Sequence, residues 1–351
     1  MNSQTFTLPD LLANWPFRCT HNPLSDEIVP ASAAWIESYN IFDERAQKAF
    51  NRCNFGLFTS LAYPNVSAAH FRVCADLMNF FFVFDELSDE ADGPTVRKQA
   101  ADIMYALRHP YAPPTPGETI LGEMARCFWR RGLQEAHITP TSGQRFIADF
   151  DEYTHAVCQQ AEDRECGRTR NLNDYMTLRR GTIGVRPSFD FFILTDDVPD
   201  EIVKHPQVEK LVQAAIDMTI IANVSMFYMH DAAAYRSVLQ DVYSYNVEQS
   251  RGDDAHNIVA VTMMDKGLDI QGAMDCVGRR YHQIARTFIE DMKHVPTFPG
   301  QIGKTLREYV FGLGIWVTTN IEWSFAGERY FGNAGPSIKV HRRVELLPKR
   351  R

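Results

Sequence analysis

The chain has 351 residues, 45% hydrophobic and 23% charged, a composition that excludes a disordered, collagenous or disulfide-stapled protein. Its 36 basic and 44 acidic side chains leave a net charge of -8, so nucleic acid is not an expected partner. An anionic ligand would have to meet a local cluster of positive charge.

At the N-terminus, MNSQTFTLPDLLANWPF has neither a basic leader region nor a continuous apolar stretch. No run of about eighteen apolar residues follows, so a cytoplasmic protein without stable membrane insertion is expected. The seven cysteines are scattered, with no CxxC or Cys/His zinc spacing, and read as reduced thiols.

The first clear helix is AAHFRVCADLMNFFFVFDELSDE. Phe71, Cys74, Met78 and Phe81 step by three and four along one face. One further step brings Asp85 and then Asp89 onto that stripe. A carboxylate following aromatic rings into a core needs a cation, a partner or water. Asp85 and Asp89 are about 40° apart round the axis and can share a hard cation such as Mg2+. Glu86 and Glu90 widen the acidic patch.

Turn chemistry follows at 109–117 (HPYAPPTPG), 139–143 (TPTSG), 195–200 (TDDVPD) and 295–300 (VPTFPG). RRGTIG occupies 179–184, and Leu211–Ala222 is apolar almost all round, as in a helix buried on most sides. In QDVYSYNVEQSRGDDAHN, Gln240, Ser244 and Glu248 fall at i, i+4 and i+8, a row of oxygen donors spread over about 80°. Arg251, one turn on, could reach an anion held there. Tyr309, Leu313, Trp316, Asn320 and Ser324 recur at helical spacing near the end. No alternating strand pattern, internal repeat or linker appears. The expectation is all-α, a single large bundle over 1–335 with a basic, mobile C-terminal tail over 336–351 that could serve as a lid or phosphate clamp.

Four ordered motifs resemble class I terpene cyclases of the fungal, basidiomycete-type sesquiterpene synthase family. These are DELSD (85–89), RRGTIG (179–184), DVYSYNVEQ from Asp241, and WVTTNIEWSFAGERYFG (316–332). The opening WPFRCTHNP resembles that family too. The resemblance implies a class I α-helical bundle around a central cavity. It further implies Mg2+-dependent ionisation of farnesyl diphosphate (or geranyl diphosphate) and cyclisation of the carbocation. Three Mg2+ ions with the diphosphate are implied, Mn2+ being an alternative, in a monomer or homodimer. On this basis Asp85, Asp89, Asn223 (or Gln240), Ser244 and Glu248 hold metal, while Arg180, Arg329 and Tyr330 bind diphosphate. Phe81 and Trp316 would face the cation, with Asn320 on the same wall.

One departure stands out. The family has Asn immediately before Asp241, where this chain has Gln240; Asn223 lies upstream, at the end of DMTIIAN. Cutting out 224–240 (VSMFYMHDAAAYRSVLQ) joins DMTIIAN to DVYSYNVEQ and restores the family motif in full. Its Val-Ser start and Gln end can be encoded as GTAAGT and CAG, the usual intron boundaries, so the segment reads as a retained intron. Two rivals stand beside the synthase: a prenyltransferase, which would carry a second aspartate-rich motif, and a catalytically impaired helical protein or binding module.

Overall fold

A computed structural model describes residues 5–168, 170–222, 245–251 and 257–348, apart from the side chains at 172, 247, 248, 251 and 329. Helices dominate. The first seven are α1 (Ser25–Glu37), α2 (Glu44–Arg52), α3 (Phe55–Ala62), α4 (Ala68–Asp89), α5 (Gly93–Arg108), α6 (Ile120–Arg131) and α7 (Pro140–Glu165). After them come α8 (Leu172–Thr182), α9 (Val185–Asp190), α10 (Asp200–Val203), α11 (Pro206–Ala222) and α12 (Tyr245–Arg251). The chain ends with α13 (Ile258–Lys266), α14 (Ile270–Asp291), α15 (Gly300–Ala326), α16 (Glu328–Phe331) and α17 (Gly335–His341).

The apolar periodicities have the packing they predict. Phe71, Cys74, Met78 and Phe81 of α4 are all buried, and so is α11 from Ala215 to Ala222. The segment TPTSG starts a helix: Thr139 Oγ1 accepts from Ser142 N at 3.2 Å, and Pro140 occupies the first turn of α7.

Two features differ from the sequence reading. A short antiparallel ribbon pairs β1 (Thr5–Thr7) with β2 (Arg343–Glu345), Phe6 opposite Val344. The segment expected to be a mobile tail therefore includes α17 and β2, and Ile338 and Val344 are buried in it. Three residues per strand are too few for alternation to be seen in sequence.

α8 stops at Thr182, two residues before Gly184, which takes φ +66 and caps the start of α9. Glycine adopts that left-handed backbone without steric cost. A Cβ there would also sit 3.1 Å from the Phe81 ring. The break therefore bends the chain against the aromatic stripe of α4.

Behind it lies a buried acid pair. Asp149 on α7 and Asp190 on α9 share an arginine-rich neighbourhood. Burial first, then Asp149, pushes the Asp190 carboxyl well above its usual range. Burial raises Asp149 to about 6, with Glu152 and Glu209 adding to the rise and Arg186 and Lys204 opposing it. Between about pH 4 and 6 the folded chain keeps a proton that the unfolded chain has lost, so stability falls as pH rises through that window. Asp149→Asn should flatten this fall and raise the neutral-pH midpoint by roughly 3–6 °C. Thermal melts at pH 4.5 and 7 check it, and parallel pH dependence in both proteins would exclude Asp149 as the cause.

Candidate active site

Seven helices, α3, α4, α7, α8, α9, α11 and α15, surround one cavity with about 820 Å³ of empty space including its open mouth. Its walls are largely aromatic, from Phe58, Phe81, Tyr153, Trp316 and Trp323. These rings are locked edge to face: Phe58 meets Trp316 at 4.9 Å, Phe189 meets it at 5.6 Å, and Phe81 meets Tyr153 at 5.1 Å. Such packing holds the shape of the chamber fixed.

The last turns of α4 bring Asp85, Ser88 and Asp89 to the same cavity. Helical spacing puts these groups on the stripe already occupied by Phe81, so the acidic wall continues the aromatic one. Asp89 is buried and paired with Arg164 at 3.4 Å. That arginine also donates to the Ser88 and Ala91 carbonyls at 2.9 Å, tying the end of α4 to α7. Asp85 is half-buried on the cavity wall.

Opposite chemistry comes from α8. Arg179 is buried, lines the cavity and donates to Thr182 Oγ1 at 3.2 Å. Its Nε finds no acceptor, and Arg179 forms no ion pair among the described residues. A buried guanidinium without a carboxylate is costly unless an anion enters. Tyr153 reports where these charges converge. Burial raises its hydroxyl well above the usual range, Asp85 and Asp89 add to the rise, and Arg179 opposes it.

Arg180, singled out by the sequence, is placed elsewhere. It grips Asp217 of α11 bidentately, at 2.7 and 2.8 Å, and is not among the cavity-lining residues. Tyr330 is buried edge-on against Trp323 at 5.7 Å, behind a ring that lines the cavity. Phe81, Trp316 and Asn320 do line it, and the Trp316 Nε1 and Asn320 Nδ2 donors have no partner among the described residues. Asn223, Gln240 and Ser244 lie outside the described residues, as do the side chains of Glu248, Arg251 and Arg329. Arg179 and Thr182 lie within RRGTIG, where the motif reading singled out Arg180 alone, and Tyr153 was not singled out. The signal for Arg179 is helical spacing, since it lies three and four residues beyond the buried Met176 and Tyr175.

The donors on α4 are carboxylates and a hydroxyl, without sulfur or imidazole, which suits a hard cation such as Mg2+. Among the described residues no three His, Cys, Asp or Glu side chains form a metal site by themselves. No helix among them is long and apolar enough to cross a membrane.

Comparison with known proteins agrees with this chamber. The family described as "Terpene synthase family 2, C-terminal metal binding" matches residues 76–287. A delta(6)-protoilludene synthase of Stereum hirsutum is 41% identical over 347 residues, covering 99% of this chain and 94% of the relative. One from Armillaria gallica is 42% identical over 347 residues, with 99% and 95% covered. Sesquiterpene synthase 9 of Postia placenta is 41% identical, with 97% and 94% covered. In fold, the chain is similar to germacradien-4-ol synthase of Streptomyces citricolor, with TM-score 0.70, 19% identity, and 88% and 98% covered. Hedycaryol synthase in complex with nerolidol gives TM-score 0.71 at 17% identity, with 91% and 100% covered. An aromatic chamber with carboxylates and a buried arginine that forms no ion pair among the described residues thus lies within a chain that belongs to the metal-binding terpene synthase family.

Proposed function

We propose that the protein is a sesquiterpene synthase that ionises farnesyl diphosphate and cyclises the resulting carbocation. The observation that carries this reading is Arg179, a buried cation with no anionic partner among the described residues, in one aromatic cavity with Asp85. A diphosphate is the anion such a group suits, because guanidinium binds phosphate oxygens bidentately.

Asp85 is the primary metal ligand on the α4 wall. Asp89, already committed to Arg164, chiefly orients the end of that helix. Ser244 and Glu248, with Asn223 or Gln240, would supply the second wall. When bound, Mg2+ acts as a Lewis acid on the diphosphate and neutralises charge on the leaving group. Arg179 would hold the departing diphosphate in place, and the family resemblance assigns Arg329 and Tyr330 to the same anion. The rings of Phe81 and Trp316 then face the cation, each stabilising it by about 0.5–2 kcal/mol, and shut out water.

Asn320 brings an amide to an otherwise apolar wall. Asn320→Leu should leave total turnover within about threefold but redistribute the products, because removing one dipole changes which cation is favoured by only about 1–2 kcal/mol. An unaltered product ratio would remove Asn320 from the specificity set.

The direct test incubates the purified chain with Mg2+ and farnesyl diphosphate and analyses the headspace by gas chromatography. Volatile C15 hydrocarbons are expected, with delta(6)-protoilludene as the first standard, given the named relatives. A longer prenyl diphosphate would assign a prenyltransferase instead. A second reading, a catalytically impaired synthase, is favoured by one feature: the second metal motif is interrupted, with Gln240 before Asp241.

A further inference from the structure

α12 carries position 248 of the second metal wall, while its chain link to α11 runs through residues 223–244. Two buried side chains of this helix bond to the far C-terminus of the protein. Asn246 Nδ2 donates to the Glu345 carbonyl at 2.7 Å, and Asn246 Oδ1 accepts from Leu347 N at 2.8 Å. Gln249 Nε2 donates to the Leu347 carbonyl at 2.8 Å. These two amides thus engage three backbone groups at the end of β2.

The ribbon is itself tied down. Leu8 N donates to the Arg342 carbonyl at 2.8 Å, and Thr7 N donates to Gln271 Oε1 of α14 at 2.8 Å. The Arg342 guanidinium reaches Asp10 at 2.8 Å and the Pro9 carbonyl at 3.1 Å. The Tyr245 ring meets Phe6 of β1 edge-on at 6.3 Å, and its hydroxyl reaches Met263 Sδ of α13 at 3.5 Å. α12 therefore has a route to the rest of the fold that does not pass through its link to α11.

We propose that β1, β2 and Leu346–Leu347 form a positioning strap for α12, with Asn246 and Gln249 as its buckles. Positions 246 and 249 share one side of the helix, and position 248 falls about 200° round the axis from 246. Anchoring one side fixes the rotation and height at which the other presents the metal motif. A seven-residue helix has little stability of its own, and a metal centre tolerates only about 0.5 Å of slack. Asn246 and Gln249 are positioning residues, and this role rests on the reading of the cavity as a metal–diphosphate site.

The test titrates Mg2+ into the full chain with excess inorganic pyrophosphate, by calorimetry. The same titration is run on Asn246→Ala, on a chain ending at Arg342, and on the combination. Each change should raise the Mg2+ midpoint about five- to tenfold, as expected for losing one or two buried hydrogen bonds. The combination should exceed the truncation alone by less than about twofold, because both remove the same Asn246 bonds. Hydrogen exchange without metal gives the second readout. Amides 245–251 should exchange faster in both variants while those of α4 stay unchanged. An unchanged midpoint in folded Asn246→Ala, unchanged protection of 245–251, or effects that multiply would each overturn the strap. If truncation unfolds the whole chain while Asn246→Ala binds Mg2+ normally, the ribbon is structural and the proposal fails. Absence of Mg2+–pyrophosphate binding both by the unaltered chain and by the chain lacking 224–240 overturns the functional reading instead, and the exchange data still decide whether the strap holds α12.

Discussion

Deletion of residues 224–240 should raise product formation from farnesyl diphosphate by about 100-fold or more over the chain as it stands. The reason is register. Seventeen helical residues advance about 25 Å and turn the chain about 100° out of phase. Unless the insert loops out, Asn223, which follows the last residue of α11, then cannot join Ser244 and Glu248 as one helical row. Gln240 has the right sequence spacing to Ser244 and Glu248 and carries an amide oxygen, but it is one methylene longer. After deletion only five residues, 223 and 241–244, separate Ala222 from Tyr245, and the row Asn223, Ser244, Glu248 regains its i, i+4, i+8 spacing. The tail contacts on Asn246 and Gln249 should receive α12 in either form, so the shortened chain has a docking place ready. Gas chromatography on both forms, at matched Mg2+ and protein concentration, is the measurement. Equal activity would show that Gln240 serves as the ligand and that the insert loops out harmlessly. The intron origin has its own check: a gene without splice boundaries at these positions, or only full-length transcripts, would refute it.

What was legible in the sequence follows from which interactions are local. The aromatic stripe of α4 and the apolar α11 are set by spacing within one helix, and α4 carries Asp85 to the chamber with its rings. The pairing of Thr5–Thr7 with Arg343–Glu345 joins residues more than 330 apart, and no short-range pattern announces it. The partners of Asn246 and Gln249 were hidden for the same reason. Arg164 likewise looks like one more surface cation until α7 folds it onto the end of α4. The family resemblance reached further than periodicity because it carries such long-range placements implicitly, but it chose one arginine of a pair by motif position.

That choice can be decided by experiment. Arg179→Ala should lower kcat/KM by about 100- to 1000-fold, the usual loss when a preorganised donor to a developing anion is removed. Arg180→Ala should lower it by less than about tenfold. Adjacent helical residues point about 100° apart, so only one of the two can face the chamber. Tyr175 and Met176 are buried, and Arg179 continues their face toward Thr182 and Gly184 at the cavity. Arg180 instead spends the Nε–Nη2 edge of its guanidinium on Asp217. Recruiting it to diphosphate would leave Asp217, whose side chain is only 12% exposed, without its cation and with the Gln213 amide donor at 3.1 Å. Its removal should therefore appear chiefly in stability, at about 1–2 kcal/mol given that the Arg180 side chain is 35% exposed and partly screened. Arg179→Lys should recover only part of the activity, because an ammonium cannot reproduce the bidentate fork. Kinetics and thermal melts on the three variants separate the roles. Should Arg180→Ala be the silent enzyme and Arg179→Ala the active one, the diphosphate must draw Arg180 away from Asp217, and the motif-based assignment would stand.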